Sequence, residues 1–150
     1  MNQPSYLFTR VSSERYVFVS SGKQEIEKAV EFTAMEIPRY YNIGFGDQLP
    51  NGTLDDTVGS NNGDIIKVLA TVVKIIVSFL SELPDATIFF VGSSSDRTRL
   101  YRRILRNYYY VFSNEYLITA LVLSDGNLEE VSFDPSSAID YHAFFVRKNT

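Results

Sequence analysis

The first 46 residues alternate between apolar and polar positions with the period of β-strands. Residues 25–35 are the clearest case, because Ile26, Val30 and Phe32 fall on one face while three glutamates fall on the other. This alternation is typical of an antiparallel strand with one face on a core and an acidic face in solvent. Lys28 interrupts the apolar face. The pattern therefore predicts a group of antiparallel strands before residue 47.

Residues 65–83 have a different pattern, which predicts an α-helix. Polar side chains recur at steps of three and four residues and form one narrow stripe: Lys67, Thr71, Lys74, Ser78 and Ser81. Nearly all other positions are apolar, and a helix that is apolar over most of its circumference is largely buried. We expect it to pack on the sheet and also against a second surface, either the other helix or a second subunit.

The remaining pattern predicts a second helix within further strands. Residues 86–91 are almost all apolar and predict a strand that is buried on both faces. Residues 96–110 predict a helix, and residues 116–123, 128–133 and 141–147 predict strands, with an Asp125-Gly126 hairpin turn between the first two. The predicted fold is a single α+β domain over residues 1–150. It has a mixed, mainly antiparallel sheet and two main helices in the order β-β-β-β-α-β-α-β-β-β.

Composition excludes several kinds of site. The chain of 150 residues has no cysteine and one histidine, so it offers neither thiolate chemistry nor a multi-histidine metal site, and we predict no metal. The net charge of −4 argues against binding nucleic acid over the whole surface. The most apolar stretch contains Lys67 and Lys74, which makes it a poor membrane span. We expect a cytoplasmic protein that does not bind membranes.

A cluster of arginines is the most unusual feature of the second predicted helix. Five arginines lie within ten residues: Arg97, Arg99, Arg102, Arg103 and Arg106. The last four share one helix face, where like charges repel. Either acidic side chains of the chain itself, at 47–64 or 25–31, offset this repulsion, or the arginines bind an external anion. Guanidinium groups suit phosphate, so a phosphate-bearing ligand, an acidic protein or a nucleic acid are the candidates, with nucleic acid not favoured.

Three further groups of residues have both a structural and a functional interpretation. The loop 59–64 precedes a helix, where backbone N–H groups either bind phosphate or are capped by Asp64 and the asparagines. Asp55 and Asp56 suit a solvated loop or a partner for arginine better than a metal site. His142 and the tyrosines 108–110 suit structural roles, although tyrosines beside a basic stripe can also stack on bases.

Motifs along nearly the whole chain resemble a family of small uncharacterised bacterial proteins. The motifs are YNIGFGD at 41–47, SNNGD at 60–64, KVLATV at 67–72, RTRLY at 97–101 and YHAFFVRK at 141–148. This resemblance implies no assigned activity.

A second resemblance covers residues 40–133 and is to the GCN5-related N-acetyltransferase fold. Asn62-Gly63-Asp64 before Ile65 is similar to a degraded form of that family's pyrophosphate loop, and SDRTRLY at 95–101 is similar to the start of its later helix. The resemblance implies acetyl-CoA as cofactor, held by the N–H groups of Asn62, Gly63, Asp64 and Ile65. It also implies Tyr101 as general acid.

The function that these patterns favour is a non-enzymatic binding or interaction module that self-associates as a homo-oligomer, most simply a dimer, without a cofactor. Three features motivate this prediction: the helix predicted over 65–83 is apolar around most of its circumference, the chain has 10 tyrosines and 11 phenylalanines, and catalytic groups are missing. One alternative is an acetyltransferase-like protein that binds acyl-CoA. Another is a protein that binds an anion, nucleic acid or phosphoprotein through its arginine-rich helix.

Overall fold

The computed structural model describes residues 4–55, 62–92 and 94–149. These residues form nine strands and three helices. The strands are β1 (Thr9–Ser12), β2 (Arg15–Ser21), β3 (Glu25–Ala34), β4 (Tyr40–Gln48), β5 (Leu54–Asp55), β6 (Thr87–Phe90), β7 (Tyr116–Ser124), β8 (Asn127–Ser132) and β9 (Ala143–Lys148). The helices are α1 (Ile65–Glu82), α2 (Ser95–Asn107) and α3 (Tyr109–Phe112). The predicted α+β class is confirmed, and the structure adds the short elements β5 and α3.

All nine strands belong to one mixed sheet, in the order β1-β2-β3-β4-β6-β9-β7-β8, with β5 also paired to β4. Only the β4–β6 pair is parallel among the described strands, because α1 carries the chain back across the sheet between them. That parallel pairing is short and runs from Tyr40 opposite Thr87 to Asn42 opposite Phe89. Beyond it, β5 takes the same edge of β4, with Asp55 opposite Asp47.

The helices pack on one face of the sheet and form a two-layer structure with it. The ring of Phe79 in α1 stacks on Phe32 of β3 with centroids 3.9 Å apart. Tyr101 of α2 meets Phe90 of β6 edge to face at 5.6 Å. Because strand residues alternate between faces, the predicted apolar face of β3 is the one that supports α1.

The interruption of that face by Lys28 has a structural explanation. Lys28 is only 6% exposed, and its Nζ lies 2.5 Å from Oδ1 of Asp47 on the adjacent strand. A buried cation is tolerated when a carboxylate pairs with it, and removing one partner of such a pair typically costs about 3–5 kcal/mol. The break in the sequence pattern therefore marks an ion pair inside the sheet.

Helix α1, which is apolar around most of its circumference, is buried within the chain itself. Ten of its residues are buried: Val68, Leu69, Ala70, Thr71, Val72, Val73, Ile75, Ile76, Phe79 and Leu80. The N-terminal segment crosses the polar stripe, where the Tyr6 N–H donates to Thr71 Oγ1 at 2.8 Å and Lys67 Nζ lies 4.3 Å from the Tyr6 ring centroid. The second surface that α1 was expected to need is thus supplied at least in part by this segment.

Two of the predicted elements are corrected by the structure. The helix predicted over 96–110 ends at Asn107, and the single turn α3 follows after Tyr108. Residues 86–91 were expected to be buried on both faces, but Phe89 is only half-buried and Val91 is exposed, because the described helices cover only one side of the sheet. The predicted hairpin is confirmed, with positive φ at Asp125 and Gly126 between β7 and β8.

Candidate functional site

The loop before α1 is anchored to the β2–β3 turn through Asn62, which is 3% exposed. The Asn62 Nδ2 donates to Ser20 Oγ at 2.9 Å and to the Gln24 carbonyl at 2.7 Å, and its Oδ1 accepts from the Gln24 N–H at 2.9 Å. Its carbonyl accepts from the Lys23 N–H at 2.8 Å. A Cβ at Gly22 would overlap that carbonyl, so glycine permits the close approach. Asn62 therefore performs a structural task that joins two distant loops.

Asp64 stands at the start of α1 as a charged, hydrogen-bonded carboxylate. Its Oδ2 accepts from Ser20 Oγ and from Tyr6 Oη, both at 2.5 Å. Burial alone would raise the pKa of Asp64, but these hydrogen bonds outweigh burial and lower the pKa below its usual range. A negative charge at this helix end opposes the binding of a phosphate there. The adjoining Gly63 and Ile65 are exposed, whereas residues 56–61, including Asp56 and the first half of the predicted loop 59–64, lie outside the described residues.

Tyr101 belongs to α2, and its side chain lies in the core between this helix and the sheet. It is 1% exposed, and its hydroxyl donates to the Ile43 carbonyl on β4 at 3.4 Å. Ile43 directly follows Asn42, the last residue of β4 that pairs with β6. Beyond this point β5, and not β6, pairs with the end of β4, and the Leu54 side chain lies against Gly44.

Arg97 is the one arginine of α2 that is buried. Its guanidinium carbon lies 5.7 Å from the centroid of the Phe45 ring, and Lys28 Nζ lies 5.8 Å from the same centroid. The close packing of this region depends on Gly92, where a Cβ would overlap Arg97 and the first turn of α2. Arg97 therefore faces the sheet and stands apart from the other arginines.

The other four arginines are on the outer side of α2, but they differ in how they are held. Arg99 forms an exposed pair with Asp96 at 2.9 Å. Arg102 is half-buried and donates to the carbonyls of Ser137 and Ile139, both at 2.5 Å. The remaining two are exposed: Arg103 and Arg106. Ser94 caps the helix by accepting from the Arg97 N–H.

An apolar area lies on the sheet face opposite the helices. It crosses five strands, and we name it the open-face patch: Tyr40, Phe89, Leu117, Leu121, Leu123, Leu128 and Phe145. Phe89 and Phe145 are register partners whose rings stack at 4.9 Å, and Tyr40 meets Phe145 at 6.1 Å. Three members remain 40–59% exposed: Leu117, Leu123 and Leu128. Among the described residues, all ring contacts between helices and strands are on the other face.

Comparison with known proteins identifies the family. A family model matches residues 2–149, which is nearly the whole chain. The chain belongs to DUF6934, a family of unknown function. The expected resemblance to an uncharacterised family is thus confirmed. No curated protein and no solved structure matches this DUF6934 chain. Membership in DUF6934 brings no activity with it, so the function has to be argued from the surfaces described above.

Other classes of site are absent from the described part of this DUF6934 chain. No helix there is long and apolar enough to cross a membrane. Nor do the described residues contain a group of three or more metal-ligating side chains of the histidine, cysteine, aspartate or glutamate types.

Sequence reasoning missed the open-face patch. The available signal was that β6, β7 and β9 are apolar at consecutive positions, which is also the pattern of strands covered on both faces. Strands covered on one face and strands covered on both are distinguished only by the structure, which places both long helices on one side of the sheet. The patch and the arginine side of α2 are two surfaces of the described residues from which binding can be inferred.

Proposed function

We propose that the protein is a non-enzymatic interaction module that forms a homodimer through the open-face patch. The observation that supports this is the patch itself, since exposed apolar areas on a sheet face commonly mark protein–protein contacts. The linked polar side chains of Thr119, Glu130 and Arg147 lie between its members. Leu117, Leu123 and Leu128 are 40%, 59% and 56% exposed. Fully burying an exposed leucine side chain is worth about 1.5–3 kcal/mol. Because about half of each of these three is exposed, covering them in both copies offers on the order of 6 kcal/mol.

A second copy of the chain suits the patch because the patch carries no net charge. Its two charged neighbours, Glu130 and Arg147, pair with each other at 3.4 Å, and Glu130 also accepts from Thr119 Oγ1 at 2.6 Å. Two identical surfaces related by a twofold axis can therefore meet without repulsion between like charges. An anionic lipid surface suits the patch less well, because the chain has a net charge of −4.

Association through the β8 edge of the sheet is disfavoured, which favours the open face over that edge as the contact. The edge strand β8 carries Glu129 and Glu130 at its centre. Antiparallel pairing of β8 with a second β8 about this centre would place glutamates opposite each other, which is destabilising. Charged residues on an edge strand are a common means of preventing such pairing.

The decisive experiment is sedimentation equilibrium on the whole protein and on the variant Leu117→Glu. Leu117 is the register partner of Arg147, so the new carboxylate has a cation directly across the strands and the monomer fold is preserved. In a twofold dimer both copies carry the substitution, so two negative charges are placed in the contact. We expect the dissociation constant to rise about a hundredfold or more, equivalent to roughly 3 kcal/mol.

Tyr110→Glu provides the matched control. Tyr110 is 82% exposed and belongs to α3, on the helix side of the sheet, so it introduces the same charge outside the patch. We expect its dimer to be as strong as that of the unmodified protein. A monomer at high micromolar concentration for the unmodified protein, or a Leu117→Glu variant that dimerises as well as Tyr110→Glu, would reject the proposal. Far-ultraviolet circular dichroism verifies that both variants are folded.

The acyl-CoA alternative stays a prediction, as does nucleic-acid binding through α2. Two observations count against the acyl-CoA alternative: the Asp64 carboxylate lies at the helix start where the N–H groups would hold the pyrophosphate, and the Tyr101 hydroxyl is buried against Ile43. The arginine side of α2 has a separate feature that points to a ligand, which is a cleft lined by Arg99 and Arg102.

A further inference from the structure

A cleft of about 420 Å³ lies between the first two turns of α2 and the chain that leads into β9. Its lining includes Ser95, Thr98, Arg99, Arg102 and His142. This volume is within the range of small-molecule sites, which is roughly 300–1,000 Å³. We propose that this cleft binds a phosphate ester of a small organic molecule, of about the size of a mononucleotide, with Arg99 and Arg102 on the phosphate.

Arg102 is oriented before any ligand arrives. Its Nη1 and Nη2 donate to the carbonyls of Ile139 and Ser137, and its guanidinium carbon lies 5.3 Å from the centroid of the Tyr141 ring. A guanidinium has five N–H donors, and three of those of Arg102 have no partner among the described residues. A held guanidinium loses little conformational entropy on binding, which favours affinity for a planar, bidentate anion.

Arg99 lies one turn earlier on the same wall and supplies a second cation. Its pair with Asp96 is highly exposed, and exposed ion pairs contribute little, so Arg99 can turn to a ligand at small cost. His142 adds an imidazole from the opposite wall, and Asp140 is the single acidic residue among those lining the cleft. The lining therefore carries a net positive charge within a chain whose overall charge is negative.

The proposed site depends on side chains and not on N–H groups at the start of α2. Ser94 already accepts from the Arg97 N–H, and the Thr98 hydroxyl donates to the Ser94 carbonyl at 3.2 Å. Part of the lining is apolar, since Tyr141 and Phe144 border the cleft with rings that are themselves almost fully buried. We expect this apolar border to favour an ester over free phosphate.

The test uses the single histidine as a local probe. The full-length protein, labelled for NMR, is titrated with adenosine monophosphate, inorganic phosphate and adenosine at constant pH and ionic strength. We expect the His142 ring signals to shift with adenosine monophosphate, about tenfold less affinity for inorganic phosphate, and no shift with adenosine. Equal affinity for inorganic phosphate and the ester would overturn the assignment to an ester, and a missing response at about 10 mM of both would overturn the site.

Variants separate this cleft from a general attraction to basic surface. Arg99→Ala removes one cation from the cleft, and the loss of a charge-assisted hydrogen bond is expected to weaken binding about tenfold or more. Arg103→Ala removes an equally charged and exposed residue of α2 that does not line the cleft, and its affinity should be unchanged. Equal losses in the two variants would show that the phosphate is attracted by the charge of α2 as a whole and would overturn the site. Isothermal titration calorimetry gives both affinities.

Discussion

Replacing Asn62 by alanine removes the side chain that holds the β2–β3 turn against the start of α1. Three hydrogen bonds of 2.7–2.9 Å would be lost, two with the backbone of Gln24 and one with Ser20 Oγ. Each is worth about 1 kcal/mol net, and an unpaired buried polar group costs a similar amount or more. We therefore expect Asn62→Ala to lower the free energy of unfolding by about 3 kcal/mol, a large part of the roughly 5–15 kcal/mol typical of a folded protein.

Urea denaturation of Asn62→Ala and a matched variant, Asn51→Ala, measures this loss. Asn51 also accepts hydrogen bonds through its side chain, from Thr53 N at 3.1 Å and Thr53 Oγ1 at 2.7 Å, but it is exposed. Water can replace these bonds, so its loss should be about 1 kcal/mol or less. A loss for Asn62→Ala no larger than that of Asn51→Ala, at equal m values, would refute the structural role and leave the Asn62 amide available to a ligand.

Two further predictions concern the start of α1. The hydrogen bonds from Ser20 and Tyr6 stabilise charged Asp64 and lower its pKa, so their contribution is present above the unfolded pKa and is lost as the pH falls through the lowered folded value. The difference in unfolding free energy between the unmodified protein and Asp64→Asn should therefore shrink from pH 7 to about pH 3, and an unchanged difference contradicts this. Acetyl-CoA at about 1 mM should not raise Tm, because the Asp64 carboxylate opposes phosphate at this helix end. A ligand at 100 times its Kd stabilises by about 2.7 kcal/mol, so a rise of several degrees contradicts the prediction.

The elements that could be predicted from the sequence are those specified by neighbouring residues. The alternation of β3, the first residue of α1 and the Asp125-Gly126 turn are local signals, since each depends on periodicity or on a turn residue that tolerates positive φ. The end of α2 was less predictable, because the apolar periodicity continues through Tyr108 into the single turn of α3.

The candidate sites could be predicted only in part, because their partners are distant in the chain. The ion pair of Lys28 joins residues 19 positions apart, and the Asn62 side chain meets Gln24 across 38 positions. The arginine cluster of α2 was visible in the sequence. That Arg97 lies inside depends on its packing over Phe45 of β4. The hydrogen bonds of Arg102 to the Ser137 and Ile139 carbonyls depend on where the chain after β8 returns to the helix.

The two surfaces proposed for binding lie on opposite sides of the sheet. The open-face patch faces away from the helices, whereas the cleft is bounded by α2 and by Phe144, whose ring is on the helix side with Phe90. A partner that covers the patch therefore leaves both copies of the cleft accessible. Coupling between the two sites would require strand β9 to shift on binding. This strand is held between β6 and β7 by antiparallel pairing on both sides. The architecture thus favours ligand binding and dimerisation as independent events, with no contribution of either to the other's free energy.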